Sequence, residues 1–131
     1  MKIEHIAVAA NSEEESDDFF IGLLELEKTR VFKVPSNLMK EFFGIDKEHK
    51  VIRYANSEVN FEVFITDENK KVKDVFTHSC LVIKNRDKLV DNARKQQYQV
   101  IKVPRERKTD KDDYYLFIRD KFNNLYEIKS P

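Results

Sequence analysis

The chain has a single cysteine, Cys80, among 131 residues, so no internal disulfide is available to it. A surplus of charge is missing too: 24 Lys and Arg balance 24 Asp and Glu, and the two signs are interspersed. No single-sign field therefore recruits nucleic acid or an anionic membrane, and neither a base-stacking motif nor a repeat array speaks for nucleic-acid binding. Long apolar runs are absent as well, all falling far short of the roughly 18 residues that cross a bilayer. The N-terminus reads as a strand rather than a signal segment with a cleavage site, which gives the expectation of a soluble cytoplasmic protein. Cys80 lies in the apolar run CLVI with no visible means of lowering its pKa, and is expected to be a buried, non-catalytic thiol.

A chain of this length suits one compact domain over residues 1–131, or two small intimately packed modules, burying roughly two thirds of the surface it exposes when unfolded. KIEHIAVAA alternates as a strand should. Asn11 or Ser12 can then cap a helix whose first turn holds Glu13, Glu14 and Glu15, where carboxylates meet the positive end of the helix dipole. Phe19, Phe20, Leu23, Leu24 and Leu26 supply its apolar stripe. TRVFKV reads as a strand ended by Pro35, and PSNLMKEFFGI as a short helix stopped at Gly44. HKVIRYA and VNFEVFIT form a hairpin across Asn56 and Ser57.

After the lysine-rich connector TDENKKVKD the order repeats: strand FTHSCLVI, helix RDKLVDNARKQQ, strand YQVIKV, basic loop PRERKTDKDD, then strands YYLFIRD and NLYEIKS. Both halves, residues 1–68 and 75–131, read βαβββ, so the fold class is α+β. IEHIAVAA and FTHSCLVI each set a histidine three residues into a strand that feeds a helix, and NFEVFI and LYEIKS each set a glutamate between apolar residues of a last strand. His5, Glu62, His78 and Glu127 are thus equivalent pairs. Two imidazoles and two carboxylates held on strands are a sufficient ligand set for a divalent ion, with positions left for water or substrate. The competing account of each residue alone is ordinary: a core or edge histidine, a solvent-facing glutamate.

These residues and the ending DKFNNLYEI, with Asp120, Asn124 and Glu127 in a D-x-x-x-N-x-x-E pattern, make the chain resemble the vicinal oxygen chelate superfamily along nearly its whole length. Asn123 stands where that family usually has glycine, and asparagine is the next best residue for a left-handed turn. The resemblance implies two βαβββ modules forming an incomplete mixed barrel. It implies His5, Glu62, His78 and Glu127 as ligands of a divalent metal (Ni, Zn, Co, Mn or Fe), and a homodimer. The set is similar to that of glyoxalase I and of methylmalonyl-CoA epimerase. The implied function is a lyase or isomerase that enolises a small carbonyl or thioester compound through an enediolate, with Glu127 as ligand and general base. Two other uses of the scaffold stay open: a binding or resistance module without chemistry, and an Fe(II) extradiol-type dioxygenase relying on His5, His78 and Glu127. Arg30, Arg53, Arg105 and Arg107 are candidates for an anionic group by charge alone, Phe42 and Phe43 are candidates to line the pocket against the plainer expectation that as helix residues they pack, and His49, among charged neighbours, is expected to be exposed.

Overall fold

A computed structural model describes residues 3–67, 71–74, 76–104 and 112–131, and the chain separates into two compact units, Met1–Lys70 and Lys71–Pro131. The basic-loop candidates Arg105 and Arg107 lie outside the described residues, as does part of the lysine-rich connector. No helix among the described residues is long and apolar enough to cross a membrane.

The first unit runs β1 (Ile6–Ala10), α1 (Glu13–Ser16), a π-helical continuation (Asp17–Leu23), β2 (Glu27–Val34), α2 (Ser36–Phe43), β3 (His49–Ala55) and β4 (Asn60–Ile65). Its sheet has the order β1-β4-β3-β2, with β1 parallel to β4 and the other pairs antiparallel. Ser12 caps α1, its hydroxyl accepting from the Glu15 N–H at 3.1 Å. From Asp17 onward the turns widen, with Leu24 N–H donating to Phe19 five residues back at 3.0 Å. This segment buries Phe19, Phe20 and Leu23. Phe20 stacks on Tyr54 at 4.9 Å and lies 5.1 Å from Phe61, so the helix covers the sheet face that carries Ile52, Tyr54, Phe61 and Val63, all fully buried. Removing aromatic and branched side chains of this size from water contributes about 1.5–3 kcal/mol each.

The second unit runs β5 (His78–Val82), α3 (Arg86–Lys95), β6 (Gln99–Pro104), β7 (Tyr114–Arg119) and β8 (Leu125–Lys129), with sheet order β5-β8-β7-β6 and the same single parallel pair, β5 with β8. Asn85 caps α3 through the Lys88 N–H at 3.0 Å. Arg86 anchors the start of that helix to β7: it pairs with Asp112, donates to the Tyr114 carbonyl at 2.9 Å and lies 4.0 Å over the Tyr114 ring. Leu116, Ile118, Tyr126 and Ile128 are the buried face of the sheet.

Each unit is therefore a βαβββ module around an open mixed sheet, the α+β architecture expected, with α2 added in the first. Several particulars differ from expectation. His5 stands just before β1, whose pairing to β4 begins at Ile6 opposite Phe61. The β3–β4 turn spans four residues, because the Asn56 carboxamide accepts from the N–H groups of both Glu58 and Val59 at 2.8 and 2.9 Å and widens it. Cys80 is exposed rather than buried. His49 is buried, because it opens β3 and turns to a covered face while its charged neighbours pair elsewhere: Lys47 with Asp67, Glu48 with Lys33, Lys50 with Glu13. Phe42 and Phe43 do not simply pack, remaining 66 % and 55 % exposed.

Candidate functional site

Strand register determines what stands beside each glutamate. In the first unit Glu62 is flanked by Ala7 of β1 and Arg53 of β3, and His5 lies two residues before Ala7. In the second, Glu127 is flanked by Cys80 of β5 and Phe117 of β7, and His78 lies two residues before Cys80. Residues two apart on a strand share a face, so each unit brings its own histidine and glutamate together on the face opposite its aromatic core.

The contacts repeat as well. His5 Nε2 is 3.4 Å from Glu62 Oε2, and His78 Nε2 is 3.6 Å from Glu127 Oε2. The other ring nitrogen is engaged in both cases: His5 Nδ1 on the Glu4 carboxylate, His78 Nδ1 on the Phe76 carbonyl at 2.7 Å. A carbonyl only accepts, so His78 carries its proton on Nδ1 when neutral and presents a lone pair at Nε2. Tying one nitrogen so that the other faces outward is how metal-binding histidines are held. Two donors each ~2.1 Å from one ion at a tetrahedral angle would be ~3.4 Å apart, close to both separations. Imidazole nitrogens and carboxylate oxygens fit a borderline divalent ion chemically. Within either unit, among the described residues, no group of three or more His, Cys, Asp or Glu has metal-holding geometry.

The pairs differ in their surroundings. Arg53 donates from both Nε and Nη2 to Glu62 Oε1, at 2.8 and 2.6 Å, and its Nη1 is 3.8 Å from Glu4. Among the described residues Glu127 meets no arginine; Lys129 stands 3.7 Å away, the Cys80 thiol hydrogen-bonds with it, and its strand neighbour is Phe117. Partial burial and the Glu127 charge hold the Cys80 thiol above its ordinary pKa, against a nucleophilic role. Arg53 was marked in the sequence only by its charge; its part as partner of Glu62 depends on the β3–β4 turn length. Arg30 is spent on the Phe32 ring, 4.5 Å away.

The Asp120 turn leads into β8, the strand that carries Glu127. One Asp120 oxygen accepts from the N–H groups of Phe122 and Asn124 at 3.0 and 2.8 Å, the other from the Asn124 amide at 2.8 Å and the Tyr126 hydroxyl at 3.3 Å. Burial nevertheless pushes the Asp120 carboxyl up to about 6. Asn123 takes the left-handed conformation expected of it, at φ 73°.

A cavity of about 550 Å³ has Ala7, the register partner of Glu62, in its lining, though neither His5 nor Glu62 itself. Ala7 and Ala9 of β1 with Phe64 of β4 form one wall, Met39 and Phe43 of α2 another, with Phe43 edge-on to Phe64 at 5.4 Å. Phe43 thus lines a pocket, and His49 joins it there, a residue that no motif or spacing singled out.

The duplicated βαβββ module is a glyoxalase-like fold, shared by solved glyoxalase family and fosfomycin resistance proteins. The fosfomycin resistance protein FosX from Mesorhizobium loti aligns with a TM-score of 0.70 at 10% identity, over 99% of this chain and 91% of that one. A glyoxalase family protein from Enterococcus faecalis aligns at 0.69 and 13% identity, over 97% and 95%. A variant of FosX from Listeria monocytogenes, complexed with Mn(II) and 1S,2S-dihydroxypropylphosphonic acid, aligns at 0.71 and 10% identity, over 98% and 89%. At such identities the likeness is one of fold. Neither a protein-family model nor a curated protein matches the sequence.

Proposed function

We propose that the protein is a metal-dependent lyase or isomerase of the glyoxalase or epimerase type, acting on a small carbonyl or thioester compound, with His5, Glu62, His78 and Glu127 as the ligands of one divalent ion. The observation that carries this reading is the arrangement found in each unit, an imidazole with Nδ1 engaged and Nε2 facing a carboxylate oxygen at 3.4 or 3.6 Å. Nickel, zinc, cobalt, manganese and iron all suit that donor set, and the Mn(II) held by a FosX variant of the same fold makes manganese the first to try. When bound, the ion supplies Lewis acidity that eases loss of a proton from the carbon beside a carbonyl.

Glu127 takes that proton on a carboxylate oxygen and returns it to the neighbouring carbon. The unequal surroundings of the glutamates support this division: Glu62 is held by two short donors from Arg53, whereas among the described residues Glu127 has a thiol, an aromatic ring and a lysine at 3.7 Å beside it. The reading carries with it a cytoplasmic enzyme that pairs as a homodimer, as the superfamily resemblance implies. Its test is elemental analysis of protein expressed with all five metals available, wild type beside the His5→Ala/His78→Ala double variant. About one ion per chain, lost in the variant, is expected. Folded wild-type protein without metal under all these conditions would turn the assignment to a binding module.

A further inference from the structure

The cavity beneath α2 contains a group that its apolar walls do not explain. His49 lines it at 9 % exposure, and its Nδ1 is 2.8 Å from the Lys47 carbonyl. That carbonyl can only accept, so the neutral ring carries its proton on Nδ1 and has a lone pair at Nε2, which has no hydrogen-bond partner among the described residues. The ring is one of few polar groups lining the cavity, and a ligand bringing an O–H or N–H to Nε2 would replace water as its donor.

Charge narrows the choice of ligand. Lys47, among the described residues the only lysine or arginine lining the cavity, is held by both oxygens of Asp67 at 2.8 and 2.7 Å. The Lys47 ammonium in turn keeps the Asp67 carboxyl below its ordinary pKa, so the two charges cancel and no surplus positive charge faces the cavity. An anionic group would enter without a counter-ion, against the cost of desolvating it. The volume of about 550 Å³ lies in the range of small-molecule sites. His49 and Arg53 stand on one face of β3, four residues and about 13 Å apart, room for a substituted ring.

We propose that this cavity takes an uncharged ligand with an aryl or branched alkyl body and one hydroxyl or N–H that donates to His49 Nε2. Ala7 in its wall is in register with Glu62 and two residues from His5, so the ligand's far end lies beside that pair. Calling the ligand the substrate rests on the metal reading; its binding does not. A phosphonate, the class carried by the FosX variant, is the wrong class for this pocket.

The test is calorimetric titration of the full chain with 4-ethylphenol, its methyl ether 4-ethylanisole, and phenylphosphonate, once in EDTA and once with Mn(II). The phenol is expected to bind wild type about tenfold more tightly than the ether, the worth of one hydrogen bond, with the phosphonate weakest. His49→Leu should bring the phenol down to the ether's affinity, and His49→Gln, which keeps an acceptor, should restore part of the difference, with folding followed by circular dichroism. If His49→Leu does not fold, the phenol-to-ether ratio on wild type decides. Equal binding of phenol and ether, phosphonate binding as tight as the phenol's, or no phenol binding to folded wild type overturns the proposal. His5→Ala separates the two readings: metal lost with the phenol preference intact is the expected pattern. Preference lost from wild type that still holds metal overturns this inference alone, and preference kept by wild type that never holds metal overturns the metal reading alone.

Discussion

Glu62 and Glu127 occupy the same place in two copies of one module, yet Arg53 stands against the first and Phe117 against the second. A glutamate bound by a guanidinium is fixed and kept ionised; one beside an aromatic edge is freer to change partner. Glu127→Gln should therefore abolish turnover while most metal is retained, and Glu62→Gln should lower metal content more than it alters the proton transfer of what remains loaded. Metal analysis beside substrate deuterium exchange distinguishes the two, and retained exchange in Glu127→Gln would end its role as base. Arg53→Met leaves a largely buried carboxylate without its two donors, for an expected loss of about 1–3 kcal/mol in urea unfolding and a drop of about 10–100-fold in metal affinity. The four ligand candidates were legible because a repeated module exposes its equivalent positions. Arg53 was not, for a reason of register: a two-residue turn at Asn56 and Ser57 would have set Val51 opposite Glu62, and the four-residue turn sets Arg53 there.

Elements tell a similar story about what short-range chemistry can decide. Gly44 ends α2 at φ 71°, where a Cβ would meet nothing within 4 Å, so the cost of Gly44→Ala is backbone strain alone, about 1 kcal/mol. Gly44→Asn should cost less, since asparagine tolerates the left-handed region, and a thermal melt with the order glycine, asparagine, alanine checks it. Because Phe43 precedes this cap and lines the cavity, loosening it should also weaken ligand binding there. The Gly44 stop, the Ser12 cap, the end of β2 at Pro35 and the left-handed Asn123 were all readable, each being a residue whose own stereochemistry demands its place. The π-helical stretch was not. Phe19, Phe20, Leu23 and Leu24 recur every four residues, a spacing that an α-helix and a wider turn satisfy equally, and the choice lies in hydrogen bonds that side-chain pattern does not record. Nor could charged neighbours reveal that His49 points inward, since a strand sends adjacent residues to opposite faces.

For the whole molecule, equal numbers of acids and bases do not make stability indifferent to pH, because carboxyls engaged in the fold are shifted in opposite directions. Asp112, hydrogen-bonded to Ser130 and paired with Arg86, and Glu13, held by Lys50 and Lys28, lie below their ordinary values. Their stabilisation is present above the unfolded pKa near 4 and is lost as pH falls through the folded one. Asp120 is the opposite case. With its folded pKa at about 6, the folded state binds the extra proton between about pH 4 and 6, so its contribution is complete below the unfolded value and disappears as pH rises through 6. The shift, already the net of burial against the four donors around the carboxylate, is worth up to about 3 kcal/mol. Urea unfolding of the wild type should therefore show stability falling from pH 4.5 to 6.5, with a separate acid limb below about pH 4. Asp120→Asn, which can accept at only one of the two oxygen positions, should be less stable throughout and lose the fall between pH 4.5 and 6.5. A variant that keeps the same fall would assign it to other groups, and a flat wild-type profile would mean that the donors from Phe122, Asn124 and Tyr126 outweigh burial and that Asp120 is ionised in the folded turn across that range.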